Sequence, residues 1–224
     1  RNVYHVCIRG EDPELDALCR KHQSTTAGQE LDDECYVLLS DDPVPIADYM
    51  WNHGGYDRFF SAAFRERVRT RFLQQNEHRL KHYGKDESGR FHVAVHVRRG
   101  DILDPNRWIT QSVYATVIRR ICKSRPEAIV HIFSSGKNRD GNWTILENVV
   151  QGDDGCASVL FHLDELEFDT WAHMVAADVL VMSKSSFSEI PALLSGGEVH
   201  FPHGFWNIQL SSFQVFHAGT GAAL

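Results

Sequence analysis

From about residue 91 the chain alternates short apolar runs with amphipathic stretches. Val93–Val97, Ile129–Phe133, Val159–Leu163, Val179–Met182 and Val199–Phe201 are short runs rich in Val, Ile, Leu and Phe, and they predict buried strands. Between them, Val113–Ser124, Trp143–Val150, Thr170–Ala177 and Phe187–Leu194 predict helices. Near-continuous apolar strands separated by helices imply right-handed βαβ units. The expected fold is therefore α/β, a Rossmann-like parallel sheet with helices on both faces. Ligands of such sheets bind beyond the carboxyl ends of the strands, so the residues just after each strand are where chemistry is to be sought.

The first ninety residues read differently. Asp12 as N-cap and Pro13 at the first helical position open a short helix, Glu14 to His22, and Cys35–Ser40 predicts a short strand. Asp41–Pro45 and Trp51–Tyr56 predict loops. Phe64, Val68, Phe72, Leu80 and Tyr83 recur at helical spacing, which predicts one long helix from Ser61 to about Tyr83, stopped by Gly84. The division expected is a smaller, mostly helical portion over residues 1–90 and a nucleotide-binding domain over 91–224.

Composition narrows the function classes. Of 224 residues, 42% are hydrophobic and 24% charged, which suits a folded core and not a disordered chain. Lys and Arg number 23 against 30 Asp and Glu, a net charge of −7 that argues against a general nucleic-acid binder but not against a local basic pocket. Five cysteines without a C-x-x-C disfavour both zinc and a full disulfide framework, leaving open a pair among Cys7, Cys19 and Cys35. Thirteen histidines show no H-E-x-x-H, and His92 and His96, on one face of a strand, are read as packing residues. No apolar run approaches the roughly 18 residues of a membrane span. A start at Arg1 in place of Met leaves open a fragment or a processed form.

Three strand ends carry candidate chemistry. The first strand runs into His96-Val-Arg-Arg-Gly-Asp101, which puts two guanidiniums where a parallel sheet binds ligands. Guanidinium forks match phosphate oxygens and stay charged at any working pH. The second, Ile129–Phe133, ends in Ser134-Ser135-Gly136, small residues that admit a ligand close to the backbone. The fourth feeds Ala177-Asp-Val-Leu-Val-Met-Ser-Lys-Ser-Ser-Phe-Ser188, a Ser-rich turn opening a helix, where free N–H groups and hydroxyls make an anion site.

In order and spacing these segments resemble the three motifs of the GDP-fucose-dependent fucosyltransferase superfamily, the α1,2-, α1,6- and protein O-fucosyltransferases of GT-B type. The resemblance spans about Phe91 to Pro202. It implies an inverting glycosyltransferase that moves fucose from GDP-fucose to a hydroxyl of a glycan or glycoprotein, with GDP-fucose as donor substrate, no other cofactor and no metal. Arg98 would hold the β-phosphate and stabilise its growing charge, and Arg99 would support it or contact the sugar side. Ser134, Ser135, Ser185, Ser186 and Ser188 would line the donor site. Asp169 would accept hydrogen bonds from guanine, and His162 would flank the base or simply pack. Asp101 answers either to the base that takes the acceptor's proton or to an ion pair orienting an arginine, with Asp104 nearby.

Partners implied are the nucleotide sugar and its acceptor, without nucleic acid, and the implied address is the Golgi lumen. The sequon Asn142-Trp-Thr144 suits that address. Two alternatives stay open: the same fold with another nucleotide sugar, or a non-catalytic glycan- or protein-binding domain. A two-domain enzyme of this type would need more chain than 224 residues. The expectation is a whole donor half beside a reduced acceptor side.

Overall fold

The computed structural model describes residues 3–8, 13–22, 35–40, 56–83, 89–99, 107–136, 142–151, 155–204 and 209–224. Asp101 and Asp104 lie outside these residues, as do the predicted stop at Gly84 and most of the two N-terminal loops. In chain order the elements begin with β1 (Val3–Ile8), α1 (Pro13–His22), β2 (Cys35–Ser40), α2 (Tyr56–Phe59) and α3 (Ala62–Asn76). They continue with β3 (His92–His96), α4 (Gln111–Ser124), β4 (Ile129–Ser134), α5 (Thr144–Glu147), β5 (Ser158–Leu163) and α6 (Glu167–Ala176). The last are β6 (Val179–Val181), α7 (Glu189–Leu194), β7 (Glu198–Pro202) and β8 (Gln214–Phe216).

β1 and β2 pair antiparallel, with Val3 opposite Ser40 and Ile8 opposite Cys35. The other six strands form one sheet, ordered β5-β4-β3-β6-β7-β8, in which every neighbouring pair is parallel. Counted along the sheet-forming chain this is the order 3-2-1-4-5-6 of dinucleotide-binding folds. The chain winds outward from β3 to β5, then returns to β6 on the other side of β3 and winds outward again. The reversal falls between β3 and β6, the switch point near which such sheets receive ligands.

Period-two alternation divides the sheet residues between two cores. Val93, Val95, Val97, Val130, Ile132, Val179 and Val181 face α4, against Val113, Val117, Ile118 and Ile121. Ala94, Phe133, Leu180 and Met182 face the other side, against Trp171 and Val175 of α6, Leu193 of α7, and Phe64, Val68 and Phe72 of α3. The first core also holds a disulfide, Cys122–Cys156, with Cα atoms 5.1 Å apart. The sequence pattern did not point to this pair; the side chains of Cys7, Cys19 and Cys35, among which it leaves a pair open, lie outside those described. The end of α4 and the turn before β5 meet at the amino end of the sheet, a proximity that 34 residues of separation conceal.

Two expectations are corrected. The long helix ends at Asn76, not Tyr83. Buried Asn76 turns its amide back on its own helix, donating to the Phe72 carbonyl at 2.8 Å, and the chain tightens into a 3-10 turn over Glu77–Arg79. Leu80 and Tyr83 still reach the core, but from that turn. The helix expected over Trp143–Val150 divides into α5 and a 3-10 turn, Asn148–Val150.

Candidate functional site

Arg98 and Ser185 meet at this switch point. Arg98 follows β3 and Ser185 follows β6, and Arg98 Nη1 donates to Ser185 Oγ at 2.9 Å. Ser185 Oγ also accepts from Phe187 N at 3.2 Å, capping the 3-10 turn Ser186–Ser188 that leads into α7. Ser188 Oγ donates to the Ser185 carbonyl at 3.1 Å and locks the turn. Ser185 and Ser188 are fully buried and Ser186 nearly so. Ser185 and Ser188 shape the turn, Ser185 holds Arg98, and none of the three serines lines the cleft beside it.

That cleft has a volume of about 280 Å³ and is walled by Arg98, Arg99, Ser134, Ser135, Asp164 and Glu165, with His96, Thr170 and Phe187. Arg99 is buried and braces the chain. Its guanidinium donates to the carbonyls of Arg98 (2.8 Å) and Ile109 (3.2 Å) and lies 4.9 Å from the Trp108 ring centre. Ser134 Oγ donates to the Val97 carbonyl at 2.6 Å, tying the end of β4 to that of β3. Ser135 Oγ is buried in the wall with no hydrogen-bond partner among the described residues. His96 accepts or donates through Nδ1 to Ser183 Oγ at 2.8 Å, and burial together with the Arg98 charge pushes its pKa down to about 3. It is therefore neutral at working pH, and Arg98 supplies positive charge next to it.

The far wall comes from the end of β5. Asp164 sits at φ 55°, a left-handed conformation uncommon for a residue with a side chain. Its Oδ1 accepts from Gly136 N at 3.0 Å, and a Cβ on Gly136 would lie 2.6 Å from Asp164 Oδ2. A side chain at Gly136 would have to push this carboxylate aside. Asp164, Glu165, Thr170 and Phe187 are lining residues that motif reading missed. The signal available for the first two was the Asp-Glu pair directly after the third predicted strand.

The structure keeps Asp169 and His162 out of the cleft lining. The Asp169 carboxylate accepts from Arg79 Nη1 at 2.6 Å and Lys81 Nζ at 3.4 Å, and these cations hold its pKa below the usual carboxylate range. Its acceptor capacity faces the turn after α3. His162 belongs to an array of histidines on the α6 side of the sheet. His92 Nδ1 and His131 Nε2 are 3.0 Å apart, as are His131 Nδ1 and His162 Nε2. The His82 ring lies 4.0 Å from that of His162 and 4.7 Å from that of His173, and Tyr83 stacks on His92 at 4.3 Å. Burial is the main cause that pushes His131 down to about 2 and His162 and His173 down to about 4. His92 packs, as read from the sequence. The array was not legible there, because residues 82, 92, 131, 162 and 173 are brought together only by strand register and the turn after α3.

No protein-family model matches the chain, and no curated protein matches it. Among solved structures, the E. coli ADP-heptose LPS heptosyltransferase II aligns with a TM-score of 0.46 and 14% identity, over 66% of this chain and 45% of that one. A UDP-forming α,α-trehalose-phosphate synthase from Burkholderia xenovorans aligns at 0.44 and 8% identity, over 63% of this chain and 36% of that one. A glycosyl transferase family 9 protein from Veillonella parvula aligns at 0.42 and 11% identity, over 65% and 40%. The chain spans less than half the length of each of these proteins. Likeness this distant carries nothing about substrates or residues, and the assignment of a Rossmann-like sheet rests on the strand order itself.

Proposed function

We propose that the chain binds the pyrophosphate of a nucleotide sugar in the cleft at the carboxyl ends of β3, β4 and β5, beside the switch point, as the donor-binding part of a glycosyltransferase. The observation that supports this best is the Arg98–Ser185 hydrogen bond across the switch point of the sheet. A buried hydroxyl aims a guanidinium at the place where such sheets receive phosphates. In the reaction, an acceptor hydroxyl oxygen attacks the anomeric carbon and the bond to the β-phosphate oxygen breaks. Its electron pair stays on the phosphate, where Arg98 stabilises it. Arg99 holds the Arg98 backbone in place, and Ser135 Oγ offers a hydrogen bond to a bound oxygen. Asp101 or Asp104 takes the acceptor's proton.

The finer reading, fucose from GDP-fucose, rests on the resemblance of His96–Asp101, Val130–Ser135 and Ala177–Ser188 to the fucosyltransferase motifs. One observation favours the broader reading with another nucleotide sugar: the carboxylate expected to receive guanine, Asp169, is held by Arg79 and Lys81. The division at residue 90 belongs to the same proposal. A secretory address is supported by the Cys122–Cys156 disulfide and by exposed Asn142 and Thr144 in the sequon.

Thermal shift against GDP, UDP and ADP and their sugars, followed by transfer to a glycan and peptide panel, tests both levels. Arg98→Ala is expected to keep the fold and to lower transfer by on the order of 100-fold or more. Wild-type transfer by Arg98→Ala would overturn the site. Stabilisation by UDP or ADP but not GDP would overturn the guanine reading alone. Donor binding without turnover on any acceptor would favour a binding domain.

A further inference from the structure

His82, His162 and Glu165 bring one ring nitrogen each and a carboxylate oxygen to within 4.8 Å of one another. The three come from two segments, the turn after α3 and the end of β5. His82 Nε2 already stands 3.2 Å from Glu165 Oε1. Tetrahedral zinc, with bonds of about 2.0–2.2 Å, places its ligand atoms roughly 3.3 Å apart. That edge of the coordination shell is therefore preformed, and the His162 nitrogen, within 4.8 Å of both atoms, has to move inward to complete it.

The surroundings resemble the outer shell of a metal site. His162 is pinned through Nε2 to His131, which is bonded in turn to His92, so the ring is oriented by a chain of imidazoles across the sheet. The His82 ring is held between those of His162 and His173, and its backbone N–H donates to His173 Nε2 at 3.1 Å. Glu165 keeps its second oxygen, Oε2, on Lys81 Nζ at 2.9 Å, so Oε1 is the one turned to the histidines. The geometry points to a site for zinc or a similar transition-metal ion on His82, His162 and Glu165, closed by a water. Two imidazoles and one carboxylate suit such an ion and not magnesium or calcium, which take oxygen ligands. An ion here takes the place of the hydrogen now lying between His82 and Glu165. It fastens the segment after α3 to the edge of the sheet, a structural role at the rim of the cleft, whose wall Glu165 also forms.

Lys81 is the opposing term. Its ammonium is half-exposed, and its charge beside Glu165 weakens the attraction of a cation. The whole chain should be titrated with ZnCl2 after chelator treatment, by calorimetry and thermal shift, with MgCl2 as a parallel arm and CoCl2 for the visible spectrum. Expected are one zinc per chain, a saturable rise in Tm, a four-coordinate cobalt spectrum and no response to magnesium. His82→Ala and Glu165→Gln, both at partly exposed positions, should weaken zinc at least tenfold with the fold retained. Lys81→Met should tighten it, a gain that no misfolded variant can mimic. The site is overturned if zinc does not bind, if magnesium binds as well as zinc, if both weakening variants keep wild-type affinity, or if Lys81→Met binds no tighter.

Discussion

The two faces of the parallel sheet are built on opposite chemistries. The face under α4 is aliphatic, with valines and isoleucines from β3, β4 and β6 closing on the helix and the Cys122–Cys156 bond at its edge. The face under α6 and α3 carries aromatic and aliphatic side chains around Trp171, but into it are set His92, His96, His131, His162 and His173, all buried. The first face needs only shape and dryness. The second must keep imidazoles paired with one another, with Ser183 or with backbone, because an unpaired buried polar group costs about 1–3 kcal/mol. The candidate cleft, through His96, and the proposed metal site both border the polar face.

Removing the disulfide breaks the quiet side of this comparison with the largest effect. A crosslink between positions 34 residues apart restricts the unfolded chain by about 3–4 kcal/mol. Cys122→Ala with Cys156→Ala should lower the stability read from urea unfolding by about that amount. The dependence of stability on pH should stay as in the parent, since no imidazole of the array touches that core. A changed pH dependence would show that the two faces are energetically coupled.

What was legible in the sequence follows the same division. Strands such as Val93–Val97 announce themselves because burial on both sides makes nearly every residue apolar. The ends of those strands, with Arg98 and the Ser185 turn, were found because topology says where to look. Asp164 was missed because its place in the wall depends on a left-handed backbone and on Gly136 lacking a side chain. The Asp169 reading took a carboxylate by position, while its partners, Arg79 and Lys81, arrive from a turn read as helix. The histidine array depends on register across three strands, which no local pattern reveals.

The polar face is broken at its centre by His131→Leu. The variant leaves His92 Nδ1 and His162 Nε2 without the nitrogens they now face, and at pH 8 it should cost about 1–3 kcal/mol. The pH dependence then separates its role from simple packing. His131, His96, His162 and His173 are held neutral down to about 2, 3, 4 and 4, mainly by burial, while the unfolded chain takes protons near the ordinary 6.5. Protons therefore bind the unfolded state first, and folding loses stability as pH falls from about 6.5 towards 4, where His162 and His173 level off. Paired Glu165 and Asp169, held low chiefly by Lys81 and Arg79 respectively, add loss in the same direction at still lower pH. Taking out His131 removes about one proton of that uptake. Its penalty should shrink steadily between pH 6.5 and 4.5 in urea melts, whereas a constant penalty would mean that His131 titrates alike folded and unfolded.

The smallest effect tests how firmly the polar face is covered. Ser61 Oγ accepts from Phe64 N at 3.3 Å and caps α3, whose Phe64, Val68 and Phe72 close over Trp171. Ser61→Ala should cost about 1 kcal/mol, the ordinary worth of such a cap. Where that loss appears matters more than its size. If α3 opens as part of the global unfolding unit, amide exchange in α3 and α4 should quicken alike. If the cover over the histidines opens by itself, exchange quickens in α3 and its neighbour α6 while α4 keeps its protection. The second result is expected, because the loop-closing disulfide secures α4 and no crosslink among the described residues secures α3.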